Sequence, residues 1–205
     1  MNDFNFDQLN EAQFDVLKEI GNIGAGNATT ALSQMLNSKI DMSVPLVKLI
    51  DIGELSDIVG GPEVLVVGIL LTLADDIDGM MMFMLETSSA HNLVNILMGK
   101  KFDDFSDFTD IDLSALNEIG NIIAGAYLSS LSALTSMCIT ASVPYMAIDM
   151  AGAVLSVPAI EFGKLGDKAL LIQSHFCEDD TEVNGYFILI PTEESYSKIL
   201  NSLGM

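Results

Sequence analysis

Apolar residues return every three or four positions from Glu11 to about Asn37, at Phe14, Leu17, Ile20, Ile23, Ala28, Ala31, Leu32 and Met35. That is the period of an amphipathic helix. The other side of the same helix carries Asp15, Glu19, Asn22, Gly26, Thr30 and Ser33 in one longitudinal stripe, since residues three and four apart lie above one another. Residues Met1 to Leu9 show no period and read as a short arm, and Asn10 with Gln13 resembles a capping pair. Ile40 to Ile50 then predicts a strand interrupted by Pro45, which belongs at a sheet edge, a bulge or a strand start. Asp51 to Pro62 reads as a connector. Val64 to Leu73 and Met80 to Leu85 predict a hairpin across the turn ADDIDG, and Thr87 to Met98 a short helix stopped by Gly99.

After an acidic linker the pattern starts again. Thr109 with Asp112 predicts a capping box opening a second long helix that runs to about Met137. Its apolar face is Leu113, Leu116, Ile119, Ile122, Ile123, Tyr127, Leu131 and Leu134, and its polar stripe is Ser114, Glu118, Asn121, Gly125, Ser129 and Ser132. A strand over Ile139 to Met150 again contains a proline, Pro144. Ala153 to Phe162 reads as an extra strand or an irregular crossing. Ala169 to Phe176 and Gly185 to Ile190 predict a second hairpin with a longer acidic turn, and Thr192 to Leu203 a closing helix stopped by Gly204.

The recurrence is literal. EIGNIGAG at Glu19 to Gly26 returns as EIGNIIAG at Glu118 to Gly125, and Ser43, Val44 and Pro45 return as Ser142, Val143 and Pro144, all at an offset of 99 residues. The pairs Thr87/Thr192 and Gly99/Gly204 are offset by 105, so the second half carries six more residues between its long and its short helix. The chain therefore reads as a single domain over 1–205, with a first repeat at 11–99, a linker at 100–110 and a second repeat at 111–204. The expected class is α/β (α+β): two pseudo-twofold repeats whose long helices pack side by side on an antiparallel sheet. Gly24, Ala25, Ala28, Ala124 and Ala126 would let those helices approach closely.

Composition narrows the partners. Eight Lys and Arg against 29 Asp and Glu leave a formal charge of −21, which argues against nucleic acid and against anionic lipid. The longest near-continuous apolar run, Val64 to Ala74, is too short to span a bilayer. Met1 is followed by neither a basic cluster nor a signal-type apolar core, so a cytoplasmic protein is expected. Cys138 and Cys177, isolated and outside any CxxC, read as two reduced core thiols, and the twelve methionines as core filler.

Chemistry is to be sought in the duplicated stripe. Glu19 with Asn22, and Glu118 with Asn121, each share a helix face and can address one target. Gly26 and Gly125 lie one turn further along, where glycine costs roughly 1 kcal/mol against alanine; something close to the backbone would explain them. The plainer reading of each stripe is a solvated helix face, and for Gly21, Gly24 and Gly120 it is packing. GNIGAG is no phosphate loop, because it lies inside a helical pattern and lacks the GxGxxG spacing. Asp15 and Glu19 are carboxylates at i and i+4, but Ser114 replaces Asp15 in the second copy and no histidine accompanies either set, a poor outfit for zinc or magnesium. Ser114 has no nearby base to make it a nucleophile.

These residues resemble the CheC/CheX/FliY family of chemotaxis phosphatases. The family signature is Asp or Ser, three residues, Glu, two residues, Asn, twenty-two residues and Pro; it is met by Asp15, Glu19, Asn22 and Pro45 and again by Ser114, Glu118, Asn121 and Pro144. Two intact copies without an added domain resemble the CheC branch. The resemblance implies a fold of pseudo-twofold repeats and hydrolysis of the aspartyl phosphate on a CheY-type response regulator. It also implies the receptor deamidase CheD as a partner in many members. On this expectation Asn22 and Asn121 orient the attacking water and Glu19 and Glu118 pair with a regulator lysine. Gly26 and Gly125 allow close entry, Asp15 and Ser114 help orient the site, and Pro45 and Pro144 shape the adjoining strands. The protein would need no cofactor of its own, the Mg2+ belonging to the regulator, and would act as a monomer. Asp149, after Pro144, is a candidate contact for the deamidase. Three alternatives remain: an adaptor that binds a regulator or CheD without hydrolysis, a structural component of the flagellar switch, and a metal-dependent small-molecule hydrolase.

Overall fold

The structure, a computed structural model, describes residues 11–36, 41–99, 107–161, 168–178 and 181–204. The expected N-terminal arm, the Asn10 cap, Ile40 and most of the linker (100–106) lie outside the described residues. Helix α1 spans Glu11–Leu36 and strand β1 Asp41–Asp51; a short helix α2 covers Leu55–Ile58 inside what reads from sequence as a plain connector. Strands β2 (Leu65–Asp75) and β3 (Gly79–Glu86) form the expected hairpin, and α3 (Thr87–Met98) ends on Gly99 in the left-handed region (φ 58). The second half runs α4 (Asp110–Thr135), β4 (Ile139–Ala141), β5 (Tyr145–Met150), α5 (Ala151–Glu161), β6 (Lys168–Glu178), β7 (Thr181–Pro191) and α6 (Glu193–Ser202). The predicted capping box is formed: the Thr109 hydroxyl accepts from the Asp112 amide at 3.3 Å, and the Asp112 carboxylate accepts from the Thr109 amide at 3.0 Å.

Among the described residues all seven strands join one antiparallel sheet in the order β1-β6-β7-β3-β2, with β4 and β5 both paired to the far side of β2. The order is palindromic. The central pair β3–β7 joins equivalent strands, and the first strand of each repeat leaves its own hairpin to border the hairpin of the other: β1 on β6, and β4 with β5 on β2. The two repeats thus share one sheet.

Each proline sits where that outer strand carries one extra residue. Val44 and Pro45 stand opposite a single residue between the pairs Ser43–His175 and Leu46–Gln173. Ser142, Val143 and Pro144 stand opposite two residues between Ala141–Leu73 and Tyr145–Leu70. Proline cannot donate to a ladder, so it falls in a bulge of an edge strand. The strand expected over Ile139 to Met150 is therefore two strands split at Ser142–Pro144.

Both faces of the sheet are covered. Val67, Ile69 and Leu71 of β2, Met81 and Phe83 of β3, and Phe187 of β7 face a core shared with Leu17 and Ile20 of α1, Ile119 and Ile123 of α4, Leu93 of α3 and Ile199 of α6. The alternate residues Val66, Met80, Met82, Met84 and Ile188 meet Leu55 of α2 and Val154 and Leu155 of α5. Coverage on both sides explains why β3 reads as an unbroken apolar run rather than an alternation.

Two further expectations are corrected. The segment expected over Ala153 to Phe162 as a strand or an irregular crossing is, up to Glu161, a helix. Phe162 lies outside the described residues, and Ala151–Glu161 is helical despite Pro158. Its sequence is apolar all round, so it has no period to read. Its start is tied by long-range bonds, Ala151 N–H to the Val64 carbonyl at 2.8 Å and Gly152 N–H to the Pro62 carbonyl at 2.9 Å. The second hairpin is also longer than expected: its strands pair out to Glu178–Thr181, because ladder bonds extend through residues whose side chains are polar.

Candidate functional site

The long helices lie against each other through their small residues. A Cβ placed on Gly24 would collide with the ring of Tyr127, and the Asn27 side-chain amide donates to Ser130 Oγ at 3.0 Å. Tyr127 stacks on Phe187 with centroids 4.4 Å apart and its hydroxyl lies 3.3 Å from that of Ser174. Burial pushes this phenol up to about 12, partly offset by the Ser174 bond, so it is a neutral piece of the core. Gly21 packs over the β1 bulge, where an added Cβ would come within 3.3 Å of Val47 and 3.6 Å of Val44; one on Gly120 would come within 2.6 Å of Ile69. These three glycines serve packing, as expected.

With Leu17, Ile20 and Ala28, and Leu116, Ile119 and Ile123, turned to the core, the polar stripes face solvent. Asp15, Glu19, Asn22, Gly26 and Thr30 are exposed along α1, and Ser114, Glu118, Asn121, Gly125 and Ser129 along α4; Ser33 and Ser132 are half-buried. Ser132 is held inside, its hydroxyl donating to the Met137 carbonyl at 2.5 Å, and Thr30 donates back to the Gly26 carbonyl at 2.9 Å. Gly26 and Gly125 differ from the packing glycines: a Cβ at either would meet nothing within 4 Å. No internal contact accounts for the missing side chain.

The prolines lie on the strands and not on the helix stripes. Pro45 lies in the β1 bulge over which Gly21, the neighbour of Asn22, packs, and half-buried Pro144 in the equivalent bulge of the second half, where Ser142 N–H donates to the Thr72 carbonyl at 2.9 Å. Asp149 is exposed on β5, opposite Val66, and accepts from the Met150 amide at 2.7 Å. Along the same edge Tyr145, Ile148 and Met150 of β5 and Leu65 of β2 are also exposed, a feature the sequence pattern does not single out.

Among the described residues no group of three or more His, Cys, Asp or Glu is placed to hold a metal ion, and no helix is long and apolar enough to cross a membrane. His91 stacks on Phe108 at 3.9 Å, and His175 bonds Asn184 at 2.8 Å. The core-thiol expectation fails for Cys138, which is exposed after α4; its amide is bonded to the Asp76 carboxylate at 2.8 Å, so the backbone here is fixed by the β2–β3 turn rather than by thiol burial. The Cys177 side chain lies outside the described residues.

Residues 13–49 match the model of the CheC-like family, and residues 67–159 match that of the chemotaxis phosphatase CheX. The chain is 36% identical over 203 residues to the CheY-P phosphatase CheC of Bacillus subtilis (strain 168), covering 97% of each. It is 34% identical over 140 residues to the flagellar motor switch phosphatase FliY of the same organism, covering 67% of this chain and 36% of that one. Among solved structures it resembles Thermotoga maritima FliY, with a TM-score of 0.77 at 21% identity over 96% of this chain and 98% of that one; at that identity the likeness is one of fold.

Proposed function

The chain belongs to the CheC-like family of chemotaxis phosphatases, and we propose that it hydrolyses the aspartyl phosphate of a CheY-type response regulator with the exposed Glu/Asn faces of α1 and α4. The observation that carries this reading is the outward presentation of both pairs, each followed by a glycine in open space.

An aspartyl phosphate is an acyl phosphate with a good leaving group, so its hydrolysis needs an oriented water more than a strong acid. On this reading the Asn22 or Asn121 amide holds a water in line with the phosphorus. The water oxygen bonds to phosphorus as the bond to the aspartyl oxygen breaks, which releases inorganic phosphate and returns the regulator's carboxylate. Glu19 or Glu118 pairs with a lysine of the regulator, anchoring the docked helix. Any magnesium in the reaction is held by the regulator. Asp15 and Ser114 flank the pair one turn back, and the Pro45 and Pro144 bulges shape the strand edges beside the helices. The protein acts as a monomer in the cytoplasm, where such a regulator works.

Phosphate release from a phosphorylated CheY-type regulator tests this. Asn22→Ala and Asn121→Ala should each slow release, and the double variant should bring it close to the regulator's own rate. Undiminished hydrolysis by the double variant removes the water-positioning role.

The second reading is an adaptor that holds a regulator or the deamidase CheD, and the exposed apolar residues Tyr145, Ile148 and Met150 along the β5 edge favour it. Catalytic amounts of protein separate the two: turnover supports the enzyme, whereas protection or stoichiometric sequestration of the phosphorylated regulator supports the adaptor.

A further inference from the structure

Beside the α4 stripe a groove of about 450 Å³ opens between that helix and β4. Gly125, Leu128, Ser129, Ser132 and Ala133 line it from the helix, with Ile139 and Ala141 from the strand; the lining is uncharged and more apolar than polar. On a chain of net charge −21 this is a local exception. We infer that the groove is a specificity pocket that receives an apolar side chain from the regulator's surface next to its phosphoaspartate.

The inference rests on the docking proposed above and extends it. At 1.5 Å per residue, Gly125 and Ser129 lie about 6 and about 12 Å beyond Asn121 along α4. A stable protein–protein contact covers about 800 Å² on each partner, a patch of about 16 Å radius. A regulator seated over Glu118 and Asn121 therefore lies across the groove. The occupant's character follows from the lining: a charge entering a site that offers no opposite charge would lose its water without compensation, whereas an apolar group would meet Leu128, Ala133, Ile139 and Ala141, with the two serine hydroxyls at the groove's helix side. Gly125 fits the same account, since its open flank forms part of the groove rather than part of the protein's own packing.

Ser129 is exposed and outside the proposed reacting pair, so the test fills the groove there. In an Asn22→Ala background, where the second copy carries the turnover, Ser129→Phe should raise the KM for the phosphorylated regulator at least about tenfold while kcat at saturation is kept. Ser129→Ala, which leaves the groove open, should leave KM unchanged. In an Asn121→Ala background, where the first copy works, Ser129→Phe should also leave KM unchanged. Should Ser129→Phe lower the thermal midpoint, Ala133→Leu, an exposed helix-compatible filling of the same groove, gives the reading instead. A KM unmoved by filling in the first background, or raised equally in both, overturns the pocket while leaving the phosphatase reading intact. A wild-type chain that releases no phosphate overturns both.

Discussion

Gly26 and Gly125 are the residues at which internal packing and exposed function separate. Gly24 cannot carry a Cβ because Tyr127 occupies the space; Gly26, two residues on, has room for one and lacks it. An exposed mid-helix glycine is less favourable than alanine by about 1 kcal/mol. Gly26→Ala and Gly125→Ala are therefore expected to stabilise the protein by up to about 1 kcal/mol each in urea unfolding. Both should slow hydrolysis of the phosphorylated regulator by crowding the approach to the helix. A variant that gains stability and keeps full activity would remove the close-approach role. The exposure of Glu19, Asn22, Glu118 and Asn121 was legible in sequence, because a helical period fixes which residues share a face. The same period sets Gly26 on the polar stripe and Gly24 off it; what the sequence did not name is the neighbour that blocks Gly24, Tyr127 across the helix pair.

Among elements, the helix with the most explicit local instruction is α4. Its N-terminal turn is closed by reciprocal bonds between Thr109 and Asp112, the second of which is buried. Thr109→Ala removes the acceptor for the Asp112 amide, and a cost of about 1 kcal/mol in urea unfolding is expected, with little change in the rate at saturating regulator, since the cap lies nine residues before Glu118. An unchanged midpoint would show that the helix start is set by packing instead. The cap, the stop at Gly99 and the β2–β3 hairpin were readable because each depends on residues close in sequence. Helix α5 was not, because AGAVLSVPAI has neither a polar face nor a period, and its start is fixed by carbonyls some ninety residues away.

For the molecule as a whole, the exchange of edge strands decides what is a folding unit. In isolation residues 11–99 keep β2 and β3 but lose β6 beside β1 and β5 beside β2, and expose the core face of α1 that α4 covers. Such a fragment should show no cooperative thermal transition, whereas the two halves mixed should regain one; a cooperative transition in the half alone would show the repeats to be separable. The repeat itself, the polar stripes and the acidity were settled by sequence alone, since each follows from residue order, helical period or composition; proline's missing donor left an edge, a bulge or a strand start open, and the sheet register chose the bulge. The strand order, the covering of the second sheet face by α2 and α5, the exposure of Cys138 and the groove beside Gly125 were settled only in three dimensions. Each depends on which distant residues meet, and the hydrophobic pattern that drives collapse says which side of an element turns inward but not what it finds there.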